Sequence, residues 1–527
     1  MPIFVGCASS KDVCMIVYGD PSYRAKLSEL VAQVRSRISG SSCCFDLRRE
    51  ALARAGQIEQ AVQDGNFQLP IRSAAVRVTD ALASMDVPSA EDMETLDVEA
   101  CATVKIPEGF AFYCLYAESY AAAAREWAST HEPASVLIVG LRSIGTTLSA
   151  VVRAALREKG FEASRITVRP KGDPYNRTVE FDPGLLESVD WLLVVDEGPG
   201  RSGSSMASVA KFAMACGFDA SRIAFFPADD RAPGSEANAE VLAIWERIPR
   251  VVGDRPDIPI LLAQESEVLT GCPVVARHDF SGGKWREFLY KCEDEWPPAA
   301  TAFERAKFMF ELQNGRRILW KFAGFTSPPE KEPNLIQSRR ESWSAPVLSS
   351  HLGFVATRWI DGTPLKKQDL NEELLRCFGS YLAASVGDPL GSVAAKEAVE
   401  RLTHMLYWNT AELLGEAAAQ DLCGRLACEP DGSAPSYGDG RMAPHEWIQA
   451  RDGRIVKTDM WGHDWDHTIV GPQSWLWDLA GLVAEWDLNR DQVSLLLNGT
   501  DLTFEDSEFE FYLEAYRSFR RGLMAWA

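Results

Sequence analysis

The sequence predicts a multidomain protein in which a parallel-sheet α/β domain precedes an α+β domain with a small antiparallel sheet and a larger helical lobe. Length is the first reason, because 527 residues exceed what one hydrophobic core holds at roughly 100–200 residues per domain. The second is the alternation, between residues 117 and 227, of helical stretches with short unbroken apolar runs, the pattern of strands buried on both faces. The third is the change after residue 265, where strand-like segments give way, from residue 370, to mainly helical sequence. The expected divisions are a helical segment at 1–95, the α/β domain at 96–265 and the α+β domain at 266–527.

Residues 22–64 carry helical spacing in YRAKLSELVAQVRSRI and REALARAGQIEQAVQDG, with Gly40 and its serine cluster as the break. AESYAAAAREWA is a helix leading through Pro133 to SVLIVG, which is too short for a helix and reads as a buried strand. There follow the helix TTLSAVVRAALREKG, the strand RITVRP, a polar loop, the strand DWLLVVD, the helix SSMASVAKFAMACG and the strand RIAFFPA. In the last part KWREFLY, RRILWKFAGF and GFVATRWIDG read as strands of an antiparallel sheet, and EWIQA and RIVKTD as two further short strands. SPPEKEPN and CEPDGSAPS read as flexible loops.

A formal net charge of −21 repels polyanions, so neither duplex nucleic acid nor an anionic membrane is an expected partner. Small phosphorylated ligands are compatible with it, because a local group of backbone N–H groups overrides the global field. No stretch reaches the roughly 20 apolar residues of a membrane helix, and the N-terminus has no basic region followed by a long apolar run. The expected location is cytoplasmic. Twelve cysteines without a CxxC pair, and only seven histidines, argue against a zinc ribbon, a disulfide scaffold or a multi-His metal site.

WLLVVDEGPGRSGSS places Asp196 and Glu197 at the carboxyl end of a buried strand, ahead of glycines and hydroxyls that open a helix near Ser205. Free N–H groups of such a turn hold a phosphate, while two carboxylates upstream accept hydrogen bonds from vicinal sugar hydroxyls. The stretch resembles the signature of the type I phosphoribosyltransferases. The resemblance implies a phosphoribosyl site at Asp196, Glu197, Gly198, Ser202, Gly203, Ser204 and Ser205, with phosphoribosyl diphosphate (PRPP) as ligand. VLIVGLRSIGTTLS has the placement of that family's pyrophosphate loop, with Arg142, Ser143, Gly145 and Thr146 on the turn. Arg169, Lys171 and Arg177 in TVRPKGDPYNR form a basic cluster able to neutralise a diphosphate leaving group. Gly140 to Thr147 also fits GxxxxG followed by two threonines, but a P-loop requires Lys where Thr146 stands.

In RRILWKFAGF, Lys321 sits on a strand in the position that presents a point charge to nucleotide phosphates. GFVATRWIDGTPL, SYGDGRMAPHEWI, GRIVKTDMWGHDWDH and WLWDLAG follow in order. Together they resemble the aminoglycoside phosphotransferase and choline kinase-like family over residues 275–527: nucleotide lysine, hinge, an HGDxxxxN catalytic loop, a metal-binding aspartate and a late Trp-Asp-Leu-Ala element. The resemblance implies ATP and Mg²⁺, with Asp439 as catalytic aspartate, Lys321 on ATP, Asp459 on the metal and Asp478 structural. Tyr437 stands where the family has His, and Glu446, with two residues inserted, replaces the Asn that binds the second ion, a carboxylate being a hard oxygen donor. His463, Asp464, Asp466 and His467 crowd beside Asp459 without recognised zinc spacing, and SGGKW at 281–285 reads as a phosphate-covering loop or a plain turn.

The expected function is a bifunctional transferase for a ribosyl or nucleoside-like metabolite, one half binding or transferring a phosphoribosyl group and the other phosphorylating a hydroxyl with ATP. Two alternatives stand beside it: a non-catalytic PRPP or nucleotide sensor with a pseudokinase module, and a small-molecule kinase with a regulatory α/β half.

Overall fold

A computed structural model describes residues 7–10, 13–19, 22–39, 45–326, 340–386, 392–426, 435–436, 438–460 and 466–524. Gly40 with its serines, SPPEKEPN, most of CEPDGSAPS, Tyr437, His463 and Asp464 lie outside them. The chain divides into two compact units. An α/β unit comprises Ser22–Ile258 and Gly324–Thr326, and an α+β unit comprises Met1–Pro21, Pro259–Ala323 and Ser327–Ala527. The opening hairpin β1 (Cys7–Ser10) and β2 (Val13–Ile16) therefore belongs to the α+β unit rather than to an N-terminal helical segment. Among the described residues no helix is long and apolar enough to cross a membrane.

In the α/β unit Ser22–Lys26 form strand β3, not the start of a helix, because they pair antiparallel with the distant β4 (Cys101–Lys105). The helix α1 (Leu27–Ile38) then buries Leu27, Leu30, Val31 and Val34, one face at helical spacing. It is followed by α2 (Phe45–Asp64), α3 (Leu69–Ala83) and α4 (Ala90–Leu96), the last capped by Ser89, which accepts from Asp92 N–H. These helices do not stand apart as a 1–95 domain. Arg165 lies on the sheet, yet its guanidinium is sealed against Glu59 of α2 at 2.7 Å and Asp80 of α3 at 2.5 Å.

The rest of the unit runs through α5 (Glu108–Ala111), α6 (Ala117–Ser129), β5 (Ser135–Leu141), α7 (Ile144–Glu158) and β6 (Glu162–Val168). The polar loop after β6 is a short hairpin, β7 (Lys171–Asp173) with β8 (Asn176–Thr178). Then come α8 (Gly184–Glu187), β9 (Trp191–Val195), α9 (Ser204–Ala215), β10 (Ile223–Phe226) and α10 (Ala239–Arg247). Among the described residues the four strands β10-β9-β5-β6 form one sheet, parallel throughout, as the apolar runs predict. From β5 the chain moves to β6 on one side and then to β9 on the other, so the strand order reverses between β5 and β9. Gly145 is required at this point: a Cβ there would lie 2.6 Å from the Val195 carbonyl oxygen, so only glycine lets α7 start against β9.

The α+β unit continues with α11 (Ile258–Thr270), β11 (Val274–Asp279) and α12 (Trp285–Leu289). KWREFLY is thus a helix rather than a strand; Trp285, Phe288 and Leu289 follow a three–four spacing, and short apolar runs satisfy both periods. There follow β12 (Lys307–Leu312), β13 (Arg317–Phe322), β14 (Val347–His351) and β15 (Phe354–Arg358). With β11 they form an antiparallel sheet in the order β11-β12-β13-β15-β14 among the described residues. β16 (Gly362–Pro364) leads to the helices α13 (Glu372–Ser385), α14 (Ser392–Leu414) and α15 (Glu416–Arg425). The strands β17 (Trp447–Ala450) and β18 (Ile455–Lys457) pair in register Trp447↔Lys457, and α16 (Trp475–Trp486), α17 (Arg490–Leu497) and α18 (Asp506–Met524) complete the lobe. Its core packs Phe378, Trp447, Trp477, Trp486 and Tyr516.

Candidate functional site

In the α+β unit, a cleft of about 220 Å³ is lined by sheet residues such as Lys307, Leu319 and Lys321 and by lobe residues such as Arg441, Glu446, Asp459 and Asp466. Lys307 and Lys321 face each other across the β12–β13 ladder. Two like charges directly opposed destabilise a sheet unless a counter-charge lies between them. Asp459 supplies it: one carboxylate oxygen is 3.0 Å from Lys307 Nζ, and the other accepts from Lys321 Nζ. Burial, followed by opposing effects of Asp459 and the neighbouring cations Lys307 and Arg305, leaves the Lys321 ammonium lowered to about 8. The expected nucleotide lysine and metal aspartate are therefore brought together, with Asp459 in a left-handed backbone conformation (φ 58°).

The catalytic-loop residues are arranged differently. Asp439 has no exposed surface and is not among the residues that line the cleft. Its carboxylate accepts from Tyr381 OH and from Lys457 Nζ at 3.3 Å, while its own N–H and that of Gly440 donate to Asp478 at 3.0 and 2.8 Å. Asp478 is structural in just this sense, and burial followed by the Asp439 charge pushes its carboxyl up to about 6. Counting back five residues from Glu446, the HGDxxxxN spacing reaches Arg441, which lines the cleft and pairs with Asp466 at 3.4 Å. Glu446 lines the cleft with one oxygen 2.9 Å from Lys457 Nζ. His467 is buried, stacks on Tyr18 and lies against Phe303 at 4.6 Å, and so serves packing.

The two carboxylates expected to hold magnesium, Glu446 and Asp459, are each engaged by lysine. Among the described residues no group of three or more His, Cys, Asp or Glu side chains is arranged to hold a metal ion. Magnesium at a phosphate site takes one or two carboxylates and fills its other positions with water and phosphate oxygens; here an ion would have to displace an ammonium group from either carboxylate, and in that respect the residues do not fit it.

In the α/β unit the expected site residues gather where the strand order reverses, outside the carboxyl ends of β5, β6 and β9, the usual place for a ligand in an open parallel sheet. Arg142 follows β5, Arg169 follows β6, and Asp196 and Glu197 follow β9. Glu197 Oε2 accepts from Gly109 N–H at 3.0 Å, and the Asp196 carbonyl accepts from Tyr120 OH at 2.8 Å. Burial pushes Asp196 up to about 7; for Glu197, burial and then the charges of Glu108 and Asp196 push it up to about 8.

The basic residues divide. Arg142 and Arg169 converge on Asp64 at the end of α2, Arg142 Nη1 at 2.8 Å and Arg169 Nε at 3.1 Å. Lys171 is exposed on β7, and Arg177 on β8 donates to the Gly172 carbonyl at 2.7 Å. On the phosphate turn, Gly203 has φ 64° and immediately precedes α9, which starts at Ser204, one residue before the expected position. The hydroxyls of Ser202 and Ser204 both donate to the Pro174 carbonyl, at 3.2 and 3.0 Å. Gly198 lies on the same turn and Ser205 in the first turn of α9, both partly buried; Ser143, Gly145 and Thr146 lie at the start of α7, with Thr146 wholly buried.

No family model matches the chain. No curated protein matches it either. Solved structures do. A choline kinase from Streptococcus pneumoniae is 12% identical, with 51% of this chain and 89% of that chain covered at a TM-score of 0.35. A spectinomycin phosphotransferase, determined with ADP and spectinomycin, is 12% identical over 50% of this chain and 85% of its own, with a TM-score of 0.34. A type I macrolide 2'-phosphotransferase is 9% identical over 51% and 90%, with a TM-score of 0.31.

Three polar residues central to this geometry were not singled out in the sequence: Lys307, Lys457 and Asp64. Lys307 sits on a strand whose alternation in KFMFEL was available as a signal, whereas Lys457 and Asp64 carry no local signature.

Proposed function

We propose that the α+β unit is an ATP-dependent phosphotransferase for a small hydroxyl-bearing molecule and that the α/β unit binds a phosphorylated ribose of the PRPP type. The single observation that carries the first part is the meeting of Lys321, Lys307 and Asp459 in a cleft whose lining holds more basic than acidic side chains, in a chain of net charge −21. Such a cleft concentrates polyphosphate against the global field. In the transfer, the bond from the terminal phosphorus to the bridging oxygen of the nucleotide breaks and one to the acceptor oxygen forms. The hydroxyl proton passes to a carboxylate lining the cleft, and the positive side chains neutralise the developing charge. Asp439, turned toward Lys457, acts through that lysine as a positioning residue.

The second part is supported by the reversal of strand order, which gathers Arg142, Arg169, Asp196 and Glu197 at one crevice. There the two carboxylates accept from ribose hydroxyls, the turn from Gly198 to Ser205 holds the 5-phosphate through backbone N–H groups, and the arginines, with Lys171 and Arg177 of the neighbouring hairpin, meet a diphosphate. One observation favours a second reading, nucleotide binding without transfer: Asp439 is sealed and Arg441 stands at the spacing of the catalytic aspartate.

The experiment is turnover of ATP by the full chain against a panel of ribosides, amino sugars and amino alcohols, with calorimetry for ATP and PRPP. The proposal expects transfer that Lys321→Met abolishes, and PRPP binding that Asp196→Asn weakens. ATP binding without transfer to any acceptor supports the second reading, and absence of both ligands from the calorimetry refutes the assignment.

A further inference from the structure

Lys457 has a side chain with no exposed surface, although it emerges beside a polar cleft. Its ammonium carries three N–H donors, and three acceptors surround it: Glu446 Oε2 at 2.9 Å, the Asp439 carboxylate at 3.3 Å and its neighbour's Thr458 carbonyl at 3.0 Å. The indole of Trp447 lies 5.9 Å away and contributes its negative face. Two carboxylates and a carbonyl around one positive centre are the donors that would otherwise collect around a hard metal ion.

The surroundings leave these groups little freedom. The Asp439 carboxylate is also held by Tyr381 OH, and the backbone that carries it is pinned by Asp478. Glu446 is fixed from behind, its carbonyl accepting from Thr458 N–H at 2.7 Å and from Thr458 Oγ1 at 2.9 Å. Admitting a divalent ion to this carboxylate pair would set it against the fully buried Lys457 ammonium and take away that ammonium's partners, and an unpaired buried charge is strongly destabilising. The second expected ligand, Asp459, is in the same condition, claimed by Lys307 and Lys321.

We infer that Lys457 is a built-in cation occupying the place of an ion between Asp439 and Glu446, so that the cleft binds an anionic phosphate ligand without a divalent metal on Glu446. The inference rests on the phosphotransferase reading for the identity of that ligand, but not for the state of the carboxylates. Glu446 is a partner of lysine, and the positive charge that faces phosphate is covalently part of the chain. The cleft lining agrees with this: among the described residues, seven basic side chains against five acidic ones border it.

The decisive experiment uses Mn²⁺ alone as probe, titrated into the full chain and followed by electron paramagnetic resonance. The wild type is expected to bind Mn²⁺ no better than Glu446→Gln, whereas Lys457→Met, which strips two carboxylates of their cation, binds it about tenfold more tightly or better. Metal binding by the wild type that Glu446→Gln removes would overturn the inference. Should Lys457→Met fail to fold, the comparison of wild type with Glu446→Gln still decides. A second arm measures ADP by calorimetry in EDTA and in Mg²⁺. Affinities within about threefold of each other agree with a protein-borne cation. Binding only with Mg²⁺ that Glu446→Gln then abolishes refutes it while sparing the nucleotide reading; no ADP binding in either condition refutes the nucleotide reading and leaves the Mn²⁺ result to judge Lys457.

Discussion

Arg165 of β6 and Glu59 of α2 form an ion pair at 2.7 Å in which neither side chain has more than 2% of its surface exposed. Asp80 of α3 closes the group from the other side at 2.5 Å. Burying three charges together requires that each be satisfied, and Arg165 also donates to the Val76 carbonyl at 3.3 Å. This group ties the helices of residues 45–83 to the parallel sheet.

Removing Glu59 takes one of the two carboxylates from a buried guanidinium, leaving Arg165 with Asp80 and the Val76 carbonyl. Glu59→Gln is expected to destabilise the α/β unit by about 3–5 kcal/mol, while replacing Arg165 and Glu59 together by apolar residues of similar volume recovers most of that loss. Chemical denaturation of the single and double variants measures both numbers. A single variant within about 1 kcal/mol of wild type would mean that water reaches the pair.

The crevice carboxylates make a pH prediction of definite sign. Asp196 and Glu197 rise from ordinary values of 3.8 and 4.5 to about 7 and about 8, chiefly through burial. The folded protein thus keeps protons that the unfolded chain has released, and their contribution is complete below the ordinary values and lost as pH rises through the raised ones. The Asp196→Asn, Glu197→Gln double variant lacks this dependence, so relative to wild type it should gain stability between about pH 5 and about pH 9. Denaturant midpoints across that range test it, and a difference that stays flat would contradict the assignment.

Asp64 occupies the arginines that are expected to meet diphosphate. Its carboxyl is held below the ordinary value: burial raises it, but the hydrogen bond and charge of Arg169 and the charge of Arg142 outweigh burial. A phosphate entering the crevice has to compete with that carboxylate. Asp64→Asn is therefore expected to tighten inorganic pyrophosphate binding by about tenfold, or about 1.4 kcal/mol. Weaker binding in the variant would assign Asp64 the opposite part, holding the two guanidinium groups in position for the ligand.

What the sequence determined by itself was whatever depends on neighbours along the chain. SVLIVG and DWLLVVD read as strands because unbroken apolar runs too short for a helix suit strands covered on both faces, and β5 and β9 appear there. The placement of Asp196, Glu197, Arg142, Lys321 and Asp459 at strand ends or on strands was legible for the same reason, each lying within a patterned segment. The tertiary structure decided matters of distance between remote segments. Ser22–Lys26 became a strand because Cys101–Lys105 offered it a partner, and KWREFLY became a helix where two periods competed. Asp439 kept its place in the chain but turned inward, because Tyr381, from a helix 58 residues earlier, and Lys457, 18 residues later, claim its carboxylate. A local motif specifies which side chain leaves a turn, whereas the charges that meet it are supplied by folding; a lysine in RIVKTD is an ordinary strand residue until the buried Asp439 and the half-buried Glu446 close around it.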